Sequence, residues 1–345
     1  MIANGELKGM YTRRVSALAV SAALVAGLCG ATSASAKTLV LGGNPEGSLY
    51  YSMAQAIAAT VTKHSGDKVD VLPQGSTVFF PMFGSKEVDL GIVNPMDARS
   101  AYDATWPYEK AAGGKGYKMQ TVMLGSPIRL SMVTTESSGI KRLEDLKGKR
   151  VVADYGAFGG STITAVAALA NAGMSPKDVN AVKVSSYPEG VRAVMEGRAV
   201  AAVASLGSGI VQELDASKKA RILPIDRSAE AMARARKVGP AYVPMLVKKG
   251  VVPGVNEDTW VLSYAISIMA RPDLDDATVA RFVKTVHAHY KELPKIHRSL
   301  TTWTPDRFAS DQALIPYHPG AIKAYKELGM WNAAMEKHQA GLLKN

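Results

Sequence analysis

Cysteine is almost absent from this sequence. The 345 residues include one, Cys29, which lies in a segment that we expect to be removed. The remaining chain would hold no thiol, which excludes disulfide bonds, cysteine nucleophiles and thiolate metal ligands. Its stability must therefore come from a hydrophobic core.

Enzyme signatures are missing too. The sequence has no Gly-x-Ser-x-Gly, His-Glu-x-x-His or P-loop motif. His287 and His289 are two positions apart on a predicted helix, so their side chains point in different directions. We therefore expect a protein that is not an enzyme and that has no catalytic residue, no bound metal and no cofactor.

The first 36 residues have the three parts of a secretory signal peptide. Arg13 and Arg14 supply positive charge, residues 15–28 form an apolar run, and small residues at 34–36 offer a peptidase site before Lys37. The apolar run is shorter than the ~20 residues that span a bilayer, which favours a cleaved signal over an anchor. We expect export to the periplasm, where ATP and nicotinamide cofactors are scarce.

Three details of this signal stay open. The Thr-Arg-Arg run at 12–14 suggests twin-arginine export, although the residues after it favour the general secretory route. Cys29 would suit lipid attachment only with a small residue before it, and Leu28 stands there. Met10 is an alternative to Met1 as the start of translation.

The net charge limits the class of partner that we expect. The net charge of +11 becomes +9 when Lys8, Arg13, Arg14 and Glu6 leave with the signal. This excess favours an anionic ligand or membrane face through long-range attraction. The basic residues are scattered instead of clustered with aromatic ones, so we expect no nucleic-acid partner.

Because single cores rarely exceed about 250–300 residues, we expect two domains.

Short β-rich runs alternate with helical runs, which predicts an α/β fold. Residues 38–93 and 150–225 each have βαβαβ spacing, typical of a mostly parallel sheet. Residues 260–269 form a predicted strand that returns to the first unit, and residues 275–296 a single long helix.

The order of these units predicts two lobes. After the signal peptide (1–36), residues 37–124 and 226–345 would form a discontinuous lobe 1 and residues 125–225 lobe 2. Two crossing segments would then act as a hinge. Open α/β sheets bind ligands at the carboxyl ends of their strands, so we expect the ligand in the cleft between the lobes.

Four Gly- and Ser-rich loops follow predicted strands and begin predicted helices. Helix N-termini attract anions because their free N–H groups and the helix dipole point at one spot. One such loop is more often an ordinary helix cap, but four at strand ends in both lobes indicate a binding cleft. The candidate ligand-binding residues are Asn44, Gly47, Ser48, Tyr50, Tyr51, Gln74, Gly75, Ser76, Asn94, Arg129, Gly160, Ser161, Thr162, Gly207 and Ser208.

Some of these candidates have a specific predicted role. Arg129 is the candidate counter-ion, because a guanidinium pairs with a carboxylate through two hydrogen bonds; the alternative is an ion pair within the protein. Either Tyr50 or Tyr51 would form a wall of the site, and the other would lie in the core. Asn94 ends a predicted strand and would reach the cleft.

Six motifs occur in the order of one known family. They are Leu-Gly-Gly-Asn-Pro-Glu-Gly-Ser-Leu-Tyr-Tyr at 41–51, Gln-Gly-Ser at 74–76, Val-Asp-Leu-Gly-Ile-Val-Asn at 88–94, Ile-Lys-Arg-Leu-Glu-Asp-Leu-Lys-Gly-Lys-Arg-Val at 140–151, Gly-Gly-Ser-Thr at 159–162 and Tyr-His-Pro-Gly-Ala-Ile-Lys-Ala-Tyr at 317–325. Over about residues 38–330 the sequence thus resembles the TAXI-type solute receptors of tripartite ATP-independent periplasmic (TRAP) transporters.

The resemblance implies a type II periplasmic binding protein fold, whose two lobes close on a ligand. It implies a small organic acid or amino acid, such as glutamate or 2-oxoglutarate, and delivery to TRAP permease subunits, often fused, that an ion gradient drives. The sequence departs from the family pattern at Glu46 and Ser52, where glycine and proline are usual. An acid at the mouth of the pocket would repel a carboxylate unless its side chain points away.

The sequence therefore predicts a periplasmic solute-binding receptor for a small, anionic metabolite. Two alternatives remain open at this point. One is the binding protein of an ABC importer for sulfonates or pyrimidine precursors. The other is a periplasmic sensory module that presents its ligand to a receptor.

Overall fold

Strands and helices alternate along the chain as the pattern predicts. The computed structural model describes residues 37–344, so the predicted signal peptide lies outside the described residues. The strands are β1 (Thr38–Gly42), β2 (Lys68–Leu72), β3 (Leu90–Val93), β4 (Gln120–Thr135), β5 (Arg150–Asp154), β6 (Asn180–Lys183), β7 (Ala202–Ser205), β8 (Ala220–Ile222), β9 (Val243–Val247) and β10 (Thr259–Ala270).

Helices connect most of these strands. They are α1 (Leu49–Ser65), α2 (Ser76–Ser85), α3 (Pro95–Asp103), α4 (Gly159–Asn171), α5 (Tyr187–Met195), α6 (Gly209–Lys218), α7 (Ala229–Val238), α8 (Asp276–His289), α9 (Leu293–Ile296), α10 (Pro305–Phe308), α11 (Pro319–Glu327) and α12 (Ala333–Leu342). Among the described residues, none of these helices has the length and apolar character that crossing a membrane requires.

One mixed sheet runs through the protein in the order β2-β1-β3-β10-β4-β7, with β8 paired to β4 and β9 to β10. The first three strands are parallel, as βαβαβ spacing predicts. Strand β10 is antiparallel to both β3 and β4. The sheet is therefore less parallel than the sequence predicts, because β10 returns the chain to the first unit. Strands β5 and β6 form a separate parallel pair.

Strands β4 and β10 are long because each pairs with strands in both halves of the molecule. Near Thr121, β4 pairs with the end of β10 that also pairs with β3. Beyond Leu130, β4 pairs with β7 and β8, while β9 pairs with the start of β10. The chain thus passes between the two halves along a pair of neighbouring strands.

The position of the second crossing between the lobes depends on which lobe contains residues 226–258. Helix α7 in this segment packs against α4. The side chain of Asn171 also bonds both backbone polar groups of Asp226, at 2.8 and 2.9 Å. These contacts favour a second crossing within β10 instead of at residue 226, and the lobe boundaries themselves stay a prediction.

The single helix predicted over residues 275–296 is wrong in its second half. Helix α8 ends at His289, and α9 begins at Leu293 with Pro294 in its first turn. Proline has no N–H to continue the helical ladder, so a separate short helix forms. The start was predicted correctly: the Asp275 carboxylate caps α8 by accepting from the Thr278 N–H at 2.9 Å.

Candidate ligand-binding cavity

A small buried cavity lies where loops from both sides of β4 and β10 meet. It holds about 40 Å³ of free space, which is room for about three water molecules at roughly 10–15 Å³ each. The segments after β1, β2 and β3 contribute from one side, and those after β5 and β6, together with strand β7, contribute from the other. The lining residues are Asn44, Ser48, Tyr50, Ser76, Val93, Asn94, Asp97, Leu130, Phe158, Gly160, Ser161, Thr164, Tyr187, Val203, Ser205 and Tyr264.

Five helices begin at this cavity. Ser48 caps α1 by accepting from the Tyr51 N–H, and Asn94 caps α3 by accepting from the N–H groups of Met96 and Asp97. The first residues of α2, α4 and α5 lie at the lining as well. The dipoles of helices at these ends favour negative charge. The helix ends therefore favour an anionic group, although no basic side chain lines the cavity among the described residues.

Asp97 is the one charged side chain in the lining, among the described residues. It is 1% exposed and accepts a hydrogen bond from the Tyr108 hydroxyl at 2.8 Å. The Ser76 hydroxyl and the Gly160 N–H also bond it. Burial outweighs these donors and raises the pKa of the Asp97 carboxyl to about 6. Because Ser76 is the first residue of α2 and Gly160 lies in the first turn of α4, this carboxylate joins the two sides of the cavity.

Buried hydroxyl pairs complete the site. Tyr50 and Tyr264 share a hydrogen bond of 2.7 Å between their hydroxyls. The Tyr187 hydroxyl lies 2.9 Å from Ser208 Oγ and accepts from the Ser205 N–H at 2.8 Å. Burial raises the pKa of Tyr50 and Tyr187, so both phenols stay neutral and can donate or accept. The cavity can thus bind polar groups through neutral hydroxyls, amides and backbone N–H groups.

Comparison with protein families now places the chain. A model of the NMT1-like family matches residues 41–329. The chain belongs to the NMT1-like family.

Solved structures share the fold of this NMT1-like protein at low sequence identity. A structure described as a periplasmic transporter is 13% identical, with a TM-score of 0.53 over 89% of this chain and 97% of the other. PhnD1 from Prochlorococcus marinus, in complex with methylphosphonate, is 12% identical, with a TM-score of 0.51 over 86% and 98%.

A third similar structure is the binding protein component of an ABC phosphonate transporter from Pseudomonas aeruginosa. It is 12% identical, with a TM-score of 0.51 over 90% of this chain and 97% of the other. At such identities the likeness concerns the fold alone. The NMT1-like protein has the α/β fold of two-lobed periplasmic binding proteins, as the sequence predicts.

The structure brings together part of the set of residues predicted to bind ligand. Those that line the cavity are Asn44, Ser48, Tyr50, Ser76, Asn94, Gly160 and Ser161. Those that do not are Gly47, Tyr51, Gln74, Gly75, Arg129, Thr162, Gly207 and Ser208. Two residues of the second group have a structural role: Thr162 Oγ1 accepts from the Tyr155 N–H, and Ser208 bonds the lining residue Tyr187.

Tyr51 and Glu46 turn away from the cavity together. The Tyr51 hydroxyl donates to Glu46 Oε1 at 3.3 Å and accepts from Gln55. Glu46 is exposed. The acid that departs from the TAXI pattern therefore does not point at the ligand space, and Tyr50 is the tyrosine of this pair that lines it.

Arg129 lies on the other side of the sheet. Its neighbour Leu130 lines the cavity, and successive side chains of a strand point to opposite faces. Burial lowers the pKa of the Arg129 guanidinium. The predicted ion pair between Arg129 and a ligand carboxylate therefore has no support in this geometry.

Sequence reasoning missed several lining residues, Asp97 above all. Its signal was present, because Asn94-Pro95 is a helix cap followed by proline in the first turn. An acid in the first turn is typical of such a helix. Thr164, Tyr187, Ser205 and Tyr264 carry no comparable local signal, since long-range packing places them.

We expect stability to fall as pH rises through the pKa of Asp97. A carboxyl whose pKa is raised in the folded state stabilises the fold when protonated and loses that contribution as pH passes about 6. Between pH 4.5 and 7.5 the loss of this contribution should lower the free energy of unfolding by about 2 kcal/mol. The Asp97→Asn variant should not show this fall in stability. Urea unfolding of the unmodified protein and of the variant at the two pH values would measure the difference. Equal pH dependence in both would contradict the assignment.

Proposed function

We propose that this protein is the solute-binding receptor of a membrane importer and that its ligand binds in the central cavity. The observation that carries the proposal is that segments from both sides of the crossing strands enclose one space whose lining includes hydroxyl, amide and carboxyl groups. A ligand held by both sides stabilises the closed form over the open one, which is how such receptors report occupancy. Export to the periplasm through a cleaved signal belongs to the same proposal.

The lining supports a small anionic ligand that also carries a hydrogen-bond donor. Helix N-termini favour a carboxylate, sulfonate or phosphonate group. The Asp97 carboxylate favours an N–H or O–H donor on the same molecule, because it can only accept when ionised. An amino acid or a small organic acid that carries a hydroxyl group meets both conditions. The 40 Å³ of free space favours compact members of these classes.

The class of importer is a separate part of the proposal. The TAXI resemblance favours a TRAP permease, whereas two similar structures are phosphonate-binding proteins, one of them named as part of an ABC transporter. We propose the ABC alternative on that basis. A gene for an ATPase beside this one would support it, and a gene for a large multi-span permease would support TRAP instead.

A thermal-shift screen of the purified protein tests the receptor proposal. The panel would contain small amino acids, glutamate, 2-oxoglutarate, methylphosphonate and alkylsulfonates. A ligand at 100 times its dissociation constant adds about 2.7 kcal/mol, which raises Tm by several degrees. No shift with any compound, from protein shown to be folded and ligand-free, would count against the small-anion ligand and favour the sensory alternative.

A further inference from the structure

Two histidines and a glutamate converge on the surface, away from the cavity. His64 lies in the last turn of α1, His289 ends α8, and Glu292 follows in the turn before α9. His64 Nε2 is 3.1 Å from Glu292 Oε2, and His289 Nδ1 is 3.1 Å from Glu292 Oε1. The two imidazoles are stacked, with ring centroids 3.6 Å apart. We call these three residues the His64–His289–Glu292 cluster.

We propose that the His64–His289–Glu292 cluster binds Zn²⁺. One ligand atom from each residue lies within 4.8 Å of the others. Zinc binds imidazole nitrogen and carboxylate oxygen at about 2.0–2.2 Å, so ligand atoms in a tetrahedral site are about 3.3 Å apart. Each histidine nitrogen lies 3.1 Å from a different oxygen of the Glu292 carboxylate, so either nitrogen–oxygen pair has close to that separation. Two nitrogens and one oxygen leave the fourth position to water.

The packing of α1 against α8 brings the backbones that carry His64 and His289 close together. The side chains of His64, His289 and Glu292 are 20%, 33% and 33% exposed, so the cluster is partly dehydrated yet open to an ion from solvent. A metal lies near the plane of each imidazole that binds it. One ring must therefore turn out of the stack when zinc binds, and its partial exposure leaves room for that rotation. A bound ion would cross-link the C-terminal ends of the two helices.

Lys63 provides a charge that opposes zinc. Its ammonium lies 2.9 Å from Glu292 Oε2, where it neutralises the carboxylate that the metal needs. Removing this ammonium frees the oxygen and removes a positive charge beside the dication. Lys63→Gln should thus bind zinc more tightly, an outcome that loss of a purely structural ion pair does not produce.

Calorimetric titration with ZnCl₂ tests the site on the purified protein, without a polyhistidine tag and after removal of metal with a chelator. We expect one zinc per chain and a rise in Tm with added zinc. His64→Ala and His289→Ala should each weaken binding at least 100-fold. His287→Ala is the matched control, because it removes a histidine of the same helix outside the cluster, and it should bind like the unmodified protein.

Two further variants keep the test decisive if a histidine variant does not fold. Glu292→Gln should weaken zinc binding at least 10-fold, and Lys63→Gln should tighten it several-fold. Absence of zinc binding by the unmodified protein would overturn the proposal. So would equal affinity in the His64→Ala, His289→Ala and His287→Ala variants, which would place the ion elsewhere. None of these outcomes bears on ligand binding in the central cavity.

Discussion

Ser161→Phe is expected to abolish ligand binding while leaving the protein folded. Ser161 lines the cavity at the start of α4 and is partly exposed. A phenyl ring in place of the Ser161 hydroxyl would occupy the space that the ligand needs between the two sides of the cavity. We expect affinity for any ligand from the thermal-shift screen to fall more than 100-fold, about 2.7 kcal/mol.

Ser217→Phe is the control for this change. It makes the same substitution on α6, at an exposed position outside the cavity. We expect it to bind ligand as the unmodified protein does, and isothermal titration of the three proteins with the same ligand would measure the difference. If Ser161→Phe is folded and retains its affinity, the ligand binds somewhere else. That result would remove the central cavity from the proposed function.

The parts of the cavity that the sequence predicted have a local cause. Ser48, Ser76, Asn94 and Gly160 each stand where a strand ends and a helix begins. Small and polar residues at such positions are readable from the sequence because capping chemistry and strand order alone bring them to one edge of a sheet. The fold class follows from the same alternation of strands and helices.

The misplaced Arg129 shows what local pattern does not determine. Arg129 lies on β4, where that strand passes between the two halves. Which face the guanidinium occupies depends on strand register, and a shift of one residue reverses it. Here the register directs Leu130 to the cavity and Arg129 to the opposite face.

The missed Asp97 has a different cause. The prediction from the sequence ends a strand at Asn94 and does not include the helix α3 that follows. An acid in the first turn of that helix was therefore not among the predicted site residues. Its importance is a tertiary property: Tyr108 and Gly160, 11 and 63 positions away along the chain, supply its donors. A buried acid surrounded by helix N-termini restricts the class of ligand more closely than the net charge of the whole chain does.

Trp303→Ala should cause the largest loss of stability, because Trp303 is among the largest fully buried side chains. Its ring packs so closely on Gly125 of β4 that a Cβ at residue 125 would lie 2.3 Å from it. Truncation leaves a cavity, and Trp→Ala changes in cores cost about 3–5 kcal/mol. We expect Tm to fall by roughly 10 °C in calorimetry.

Trp303→Phe separates packing from hydrogen bonding. Trp303 Nε1 has no hydrogen-bond partner among the described residues, so removing this N–H sacrifices no bond and only the lost volume counts. We expect Trp303→Phe to cost about 1–2 kcal/mol. A loss as large as that of Trp303→Ala would show that an unseen partner of the indole matters more than the packing. Because Trp303 does not line the cavity, the folded fraction of either variant should bind ligand with unchanged affinity, so stability and binding can be tested apart.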